Sequence, residues 1–238
     1  MKEEISIDFS KVIPVSTVDW YDKASCVVFF NKCPMRCRFC QNHKLLKDTN
    51  IVNVDIVKRK IADSIDFVSA VVFSGGEPTL QEKALDHLIR FSRDNGLHVG
   101  IQTSGYYPHV LKRLIENRLL NKVFLDIKAS PLNAIKYEAI TGVDDAHIKV
   151  VESFNIVNTP YVTSEIRTTV FRSFIDEVYE IAEFLKKNKY GGIYTLQTGL
   201  PGNSPTEEIR KEKPMKSVEM DNLAKKLANE TGVNIKYS

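Results

Sequence analysis

No stretch of this 238-residue sequence is apolar for long enough to cross a bilayer. The longest early run, Cys26-Val27-Val28-Phe29-Phe30, falls far short of the ~20 residues that a spanning helix needs. No apolar segment of signal-peptide length follows Met1-Lys2-Glu3-Glu4, so a cytoplasmic chain with no membrane partner is expected. A charge excess is also missing. The 33 basic and 30 acidic residues leave a net charge of +3, too small to mark a nucleic-acid-binding surface, and no nucleic-acid partner is expected. There is no internal repeat and no low-complexity segment. Cysteine is scarce: Cys26, Cys33, Cys37 and Cys40 are all there are, and three of the four crowd together. That crowding excludes a disulfide framework and points to metal or cluster ligation. No second cysteine group is left to hold an auxiliary centre.

The remaining composition, 43% hydrophobic and 26% charged, is that of a globular chain able to bury a sizeable core. Its length suits one large domain or two small ones. Short apolar runs alternate with helical periodicity. Residues 27–30 and 70–73 read as buried strands, with a helix at 54–65 between them. Thr79 followed by Glu82 reads as a capping box for a helix striped by Leu85, Leu88 and Ile89 and stopped at Asn95-Gly96. Further strands are expected at 98–103, 122–128, 162–171 and 192–197. Helices are expected at 108–117, 132–140, 146–157 and around Val178, Ile181 and Leu185. A charged, proline-containing stretch at 201–216 reads as a solvated linker or a docking loop. A last helix with Met220, Leu223 and Leu227 stops at Gly232 and leads into a short strand at 234–237. Such alternation implies parallel strands joined by crossover helices. An open sheet and a curved partial barrel both gather ligands at the C-terminal ends of such strands.

The motifs fall at those ends. Cys33, Cys37 and Cys40 form a C-x3-C-x2-C loop directly after the first strand. Three thiolates leave one iron of a four-iron cluster without a protein ligand and free to bind a small molecule, whereas a site with four cysteine ligands is closed. His43 lies three residues past Cys40, so a zinc site of three cysteines and one histidine is the alternative on spacing alone. Cys26 sits inside a strand pattern and reads as a buried, inert thiol. Ser74-Gly75-Gly76-Glu77-Pro78 ends the second strand; the paired glycines suit a tight turn or a close approach of backbone to ligand. Asp126 and Lys128 alternate at the end of the 122–128 strand. Charges there are costly unless paired, so they mark a polar site or a structural ion pair. Arg167 carries a guanidinium suited to a carboxylate. Alone, it and Gln197 are more often satisfied barrel residues than ligands.

The cysteine spacing, with aromatic Phe39 just before Cys40, resembles the radical S-adenosylmethionine (SAM) superfamily. Within it the chain is similar to glycyl-radical-enzyme activases, in particular the archaeal-type activating proteins of anaerobic ribonucleotide reductase. The resemblance covers residues 13–197. It is best over Val15-Ser16-Thr17-Val18-Asp19-Trp20, the cysteine loop through Asn42, 71–80 and 123–128.

It implies an α/β fold, a partial (β/α)6 TIM-like barrel at 23–200, preceded by an extension at 1–22 and followed by a C-terminal loop, helix and strand at 201–238. It also implies one 4Fe–4S cluster on Cys33, Cys37 and Cys40, with SAM as the second cofactor. By position, the SAM pocket takes Phe39 beside the adenine, Gly75, Gly76 and Glu77 at the methionyl amino group, and Asn42, Thr103, Asp126, Lys128 and Arg167. Two positions depart from the activase pattern: Gln102 stands where Asp is frequent, and Gln197 where some members have His. The implied activity is reductive cleavage of SAM to a 5′-deoxyadenosyl radical that takes a hydrogen from a backbone glycine. The implied partners are a glycyl-radical enzyme, the anaerobic ribonucleotide reductase, and a reducing donor such as ferredoxin or flavodoxin. Radical modification of a small molecule such as a deazapurine precursor, or of a peptide, and a zinc-stabilised binding module are the alternative functions.

Overall fold

The computed structural model describes residues 4–238. Its centre is a nine-stranded sheet: β1 (Ser6–Ser16), β2 (Ser25–Phe30), β3 (Ile51–Asn53), β4 (Ala70–Gly75), β5 (His98–Thr103), β6 (Lys122–Asp126), β7 (Thr163–Val170), β8 (Ile193–Thr198) and β9 (Asn234–Tyr237). The spatial order is β3-β1-β2-β4-β5-β6-β7-β8-β9. From β2 through β4 to β9 every neighbouring pair is parallel, whereas β1 runs antiparallel to both β2 and β3. The order of the parallel strands never reverses. A doubly wound sheet reverses at a switch point and carries helices on both faces. Here the right-handed crossovers all wrap in one sense, so the helices collect outside and the sheet curls around a lumen. The sheet stays open between β3 and β9, giving a partial barrel.

The alternation along each strand records the two environments. Cys26, Val28 and Phe30 of β2, Val71 and Phe73 of β4, and Val123 and Leu125 of β6 join the large core under the helices. Val27, Ala70, Val72 and Phe124, from the same strands, face the lumen with Trp20. Residues buried on both faces explain why these strands read as continuous apolar runs. The lumenal plug depends on Gly100: a Cβ there would stand 2.9 Å from the Trp20 ring. Trp20 meets Phe124 edge-on with centroids 5.8 Å apart.

Outside lie α1 (Val54–Ala62), α2 (Glu82–Asp94), α3 (Pro108–Glu116), α4 (Ala134–Thr141), α5 (Ala146–Val157), α6 (Ile175–Lys187), the short α7 (Glu207–Arg210) and α8 (Ser217–Thr231). The expected elements are all present, within a few residues. Two strands went unanticipated. β1 lies in the segment expected to be an extension, and its interior includes polar and charged residues that break the apolar run. β3 is only three residues long. The Thr79–Glu82 capping box does not form. α2 begins at Glu82 after a turn of 3-10 helix, and the capping acceptor is Glu77, whose Oε1 takes the Thr79 N–H at 3.2 Å. β6 ends at Asp126, so Lys128 stands just beyond the strand. The backbone there stays docked on β7, with Ile127 N–H donating to Arg167 O at 2.9 Å.

Beside the apolar plug the lumen holds a chain of charge. Glu165 accepts from Lys122 Nζ at 2.7 Å, Arg167 Nε at 2.9 Å and Thr195 Oγ1 at 2.8 Å. Burial alone would raise the Glu165 carboxyl, but Arg167, Lys122 and Thr195 outweigh it and hold the group at about 2.

Above the lumen, β4 leaves the sheet through Gly75-Gly76. Gly75 has φ +116°. A Cβ on Gly76 would stand 1.9 Å from Lys32 O, a backbone atom with no freedom to withdraw.

Two outcomes are expected. The folded-state value of Glu165 lies below its ordinary 4.5, so its contribution, on the order of 3 kcal/mol, is present above that pH and is lost as pH falls toward about 2. Denaturant melts across this window will show the loss, and E165Q will flatten it. Gly76→Ala will cost upwards of ~3 kcal/mol in the same melts, because the turn must open to admit the methyl group.

Candidate active site

The C-terminal ends of β2 and β4 through β8 surround a cavity of about 380 Å³, within the range of cofactor sites. Cys33, Cys37 and Cys40 line it together with Met35, Phe39, Asn42, Gly75, Gly76, Thr103, Ser104, Asp126, Lys128 and Arg167. A larger concavity of about 720 Å³ runs along α6 and shares none of these residues. The cysteine cavity is where the chemistry-bearing groups converge.

The cysteine loop owes its shape to backbone bonds. Cys40 N–H donates to Cys37 O at 3.1 Å, and Arg36 and Arg38 N–H donate to Thr141 O and Ile140 O at the end of α4, at 2.7 and 2.9 Å. All three loop cysteines are free thiols. Burial raises Cys33, and the Glu77 carboxylate adds to the rise. Burial pushes Cys37 up to about 11 against the pull of Lys128, and Cys40 also rises through burial. Thiols held protonated in this way are poor free nucleophiles; they become thiolates when a metal displaces the proton.

Among the described residues no other cysteine or histidine lines the cavity. His43 is turned aside, with Nδ1 bonded to Asn203 O at 3.0 Å and Cys40 O at 3.3 Å. Both partners are carbonyls, so Nδ1 is the donor. Among the described residues no three His, Cys, Asp or Glu side chains converge on a single-ion position. His43 thus does not join the three cysteines in the cavity wall. Three thiols lining one cavity would suit a group held by three cysteine ligands. Cys26, fully buried in β2, is apart from them.

Phe39 is a core residue that also reaches the cavity. It packs against Phe171 and Phe174, with centroids 5.5 and 5.3 Å away, and it also lines the cavity. Asn42 Nδ2 donates to Gly75 O at 3.2 Å, tying the cysteine loop to the glycine turn. Lys128 Nζ meets Asp126 Oδ2 at 2.8 Å. Burial would lower the Lys128 ammonium, but Asp126 more than offsets that and raises it. The ammonium is thus kept charged at the cavity wall.

Glu77 departs from the expected arrangement. Its side chain is not in the cavity wall, and it is fully buried. It accepts from Thr79 N and Oγ1, Thr103 Oγ1, and Ser104 N and Oγ. Within the motif it is the glycines that face the cavity, while the carboxylate locks the ends of β4 and β5 together. Gln102 lies in the wall as a bridge. Its Oε1 accepts from Ser74 Oγ, and its Nε2 donates to Asp19 Oδ1 at 3.2 Å.

Sequence reading missed Ser74, Ser104, Thr169, Leu200 and Asn203 in the wall. Thr169 was within reach, since Glu165, Arg167 and Thr169 alternate on one face of β7. Leu200 and Asn203 gave no signal, because they lie in or beside the stretch read as a linker. That stretch is a strap on the cysteine loop: Leu200 N–H donates to Gln41 Oε1 at 3.1 Å, and Ser204 and Thr206 hydroxyls donate to Arg38 O at 2.8 and 2.6 Å.

Known proteins share this framework. Residues 27–212 match the model of the Radical SAM superfamily. A Methanocaldococcus jannaschii protein assigned by name to the glycyl-radical enzyme activating enzymes is 31% identical over 223 residues, covering 91% of this chain and 90% of that one. The pyruvate formate-lyase 1-activating enzyme of Escherichia coli is 29% identical over 129 residues, half of each chain. Among solved structures, SuiB of Streptococcus suis bound to its precursor peptide aligns with TM-score 0.67 at 18% identity, over 89% of this chain and 48% of that one. The enzyme anSMEcpe with bound AdoMet aligns with TM-score 0.60 at 18% identity, over 86% and 60%. The chain thus spans about half the length of SuiB and nearly all of its archaeal relative. A 4Fe–4S cluster and SAM are the cofactors of the matched family, and the donor set of the cavity fits both. The chain belongs to the radical SAM superfamily and is homologous to its glycyl-radical enzyme activating enzymes.

Proposed function

We propose that this chain is a cytoplasmic activase that cleaves SAM and installs a glycyl radical on a partner enzyme, the anaerobic ribonucleotide reductase. One observation carries the reading: three thiols line a cofactor-sized cavity in which, among the described residues, no fourth cysteine or histidine stands. Homology over nine tenths of the chain to a protein named as a glycyl-radical enzyme activating enzyme supports the substrate class. The reductase as partner rests on the motif resemblance over residues 13–197.

Cys33, Cys37 and Cys40 hold the cluster. When bound, it supplies the electron that splits the sulfonium of SAM to methionine and a 5′-deoxyadenosyl radical. The electron comes from a reducing carrier of the ferredoxin or flavodoxin kind. Every other contribution is positional. Phe39 offers a flat apolar wall to the adenine. Gly75 and Gly76 let the backbone come close to the methionyl end, in a turn secured by Asn42 and, from behind, by Glu77. Asp126 and Lys128 present paired opposite charges to the amino and carboxylate groups, and Arg167 adds a second cation. Thr103 holds its hydroxyl between the cavity and Glu77.

Two experiments test this. After anaerobic reconstitution with iron and sulfide, Cys33→Ala, Cys37→Ala and Cys40→Ala will each lose the visible cluster absorption, whereas Cys26→Ala will keep it. A colourless parent protein holding stoichiometric zinc would reject the cluster. Reduced protein with SAM and anaerobic ribonucleotide reductase will give a glycine-centred radical by electron paramagnetic resonance, with one 5′-deoxyadenosine per radical. Rapid SAM cleavage that ignores the reductase, with a silent spectrum, would instead assign the chain to a smaller substrate.

A further inference from the structure

Arg167 is held from two sides and open on the third. A guanidinium has five N–H donors. Nε donates to Glu165 Oε1 at 2.9 Å, and one Nη2 hydrogen goes to Asp19 O at 3.0 Å. The Arg167 Cζ lies over the Phe124 ring, 3.9 Å from the centroid. The remaining donors, on Nη1 and Nη2, have no partner among the described residues, and Arg167 lines the cavity. An arginine that is only 5% exposed and keeps unpaired donors at a cavity wall is set to receive an anion.

What fixes this arrangement lies below the cavity. Glu165 is 1% exposed and does not reach the ligand space. Its other oxygen is anchored by Lys122 at 2.7 Å, with Lys236 at 3.8 Å. Thr195 bonds the same oxygen that meets Arg167. The carboxylate therefore has no freedom to turn, and neither does the N–H that it accepts. A long, flexible side chain is converted into a fork of fixed plane.

We propose that Glu165 is a positioning residue for SAM binding: its carboxylate sets the plane of the Arg167 guanidinium so that the open edge faces the anionic end of the cofactor. This rests on SAM occupying the cavity and not on which partner is activated. The electrostatic alternative has the opposite sign. A buried carboxylate beside Arg167 weakens its attraction for an anion, so if Glu165 were only a counter-charge, removing the charge would tighten binding.

The test is calorimetric titration of SAM into the anaerobic, cluster-loaded protein. Glu165→Gln removes the charge. Glu165→Asp keeps it but withdraws the oxygens by one methylene, and it carries the test if the Gln variant does not fold. Both are expected to raise the dissociation constant at least about ten-fold. The matched control is Asp86→Asn, which removes a carboxylate paired with Arg90 and Arg113 on the outer helices. It will lower stability and leave the dissociation constant unchanged. In nitrogen-15 spectra the Arg167 Nε–H resonance will be slow to exchange in the parent and fast in both Glu165 variants. Unchanged or tighter SAM binding in folded Glu165 variants would overturn the proposal, as would an equal loss in Asp86→Asn. Normal SAM binding by the parent with no radical on the reductase would count against the partner assignment alone.

Discussion

Everything at the active site depends on one constraint of topology: the parallel strands follow each other across the sheet in chain order. Without a reversal, no helix can cover the concave face. That face must close on its own side chains, and Trp20, Val27, Val72 and Phe124 do so at the bottom. At the top the same face is left polar, and each strand delivers its last residues to a shared mouth. Ser74, Gln102, Asp126, Arg167 and Gln197 come from five different strands and line one cavity. They are neighbours only because the strands run the same way and end at the same height.

Three carboxylates then divide the work, Glu77 and Glu165 buried and Asp126 part-exposed at the cavity wall. A carboxylate taken out of water faces a desolvation cost unless its oxygens are satisfied. Glu77 meets it with neutral donors, two backbone N–H groups and three hydroxyls, all from the exits of β4 and β5. Asp126 meets it with one ammonium at the cavity wall. Glu165 meets it with two hydrogen-bonded cations and a hydroxyl inside the lumen, with Lys236 farther off at 3.8 Å. Only Asp126 belongs to the wall of the ligand space. The other two are architectural, although one of them lies in the most conspicuous motif of the chain.

That distinction marks where sequence reading stops. The alternation of strand and helix was legible because the strands are buried on both faces and the helices carry a single apolar stripe. Cys33, Cys37 and Cys40 were legible because their spacing has few structural uses. Asp126, Lys128 and Arg167 stood out as charges in apolar surroundings. Which way a side chain turns was not legible. Glu77 reads as a ligand-binding acid beside two glycines, yet it points into the protein, because Ser104 and Thr103 arrive from a strand twenty-odd residues away. β1 was missed because its interior carries Ser10 and Lys11, which a strand near the sheet edge tolerates. Residues 201–216 read as a linker or docking loop, because composition cannot report a hydrogen bond between this region and a distant loop. The partners lie some 160 positions earlier: Gln41 for Leu200 and the Arg38 carbonyl for Ser204.

The Arg38 carbonyl receives two hydroxyls from the strap, while its guanidinium is exposed. The seam between the C-terminal segment and the cysteine loop is thus written in main-chain atoms at this point, and any amino acid supplies the same carbonyl. Drift at position 38 can recolour the outer surface of the loop, its charge and its bulk, while the stitching underneath is inherited untouched.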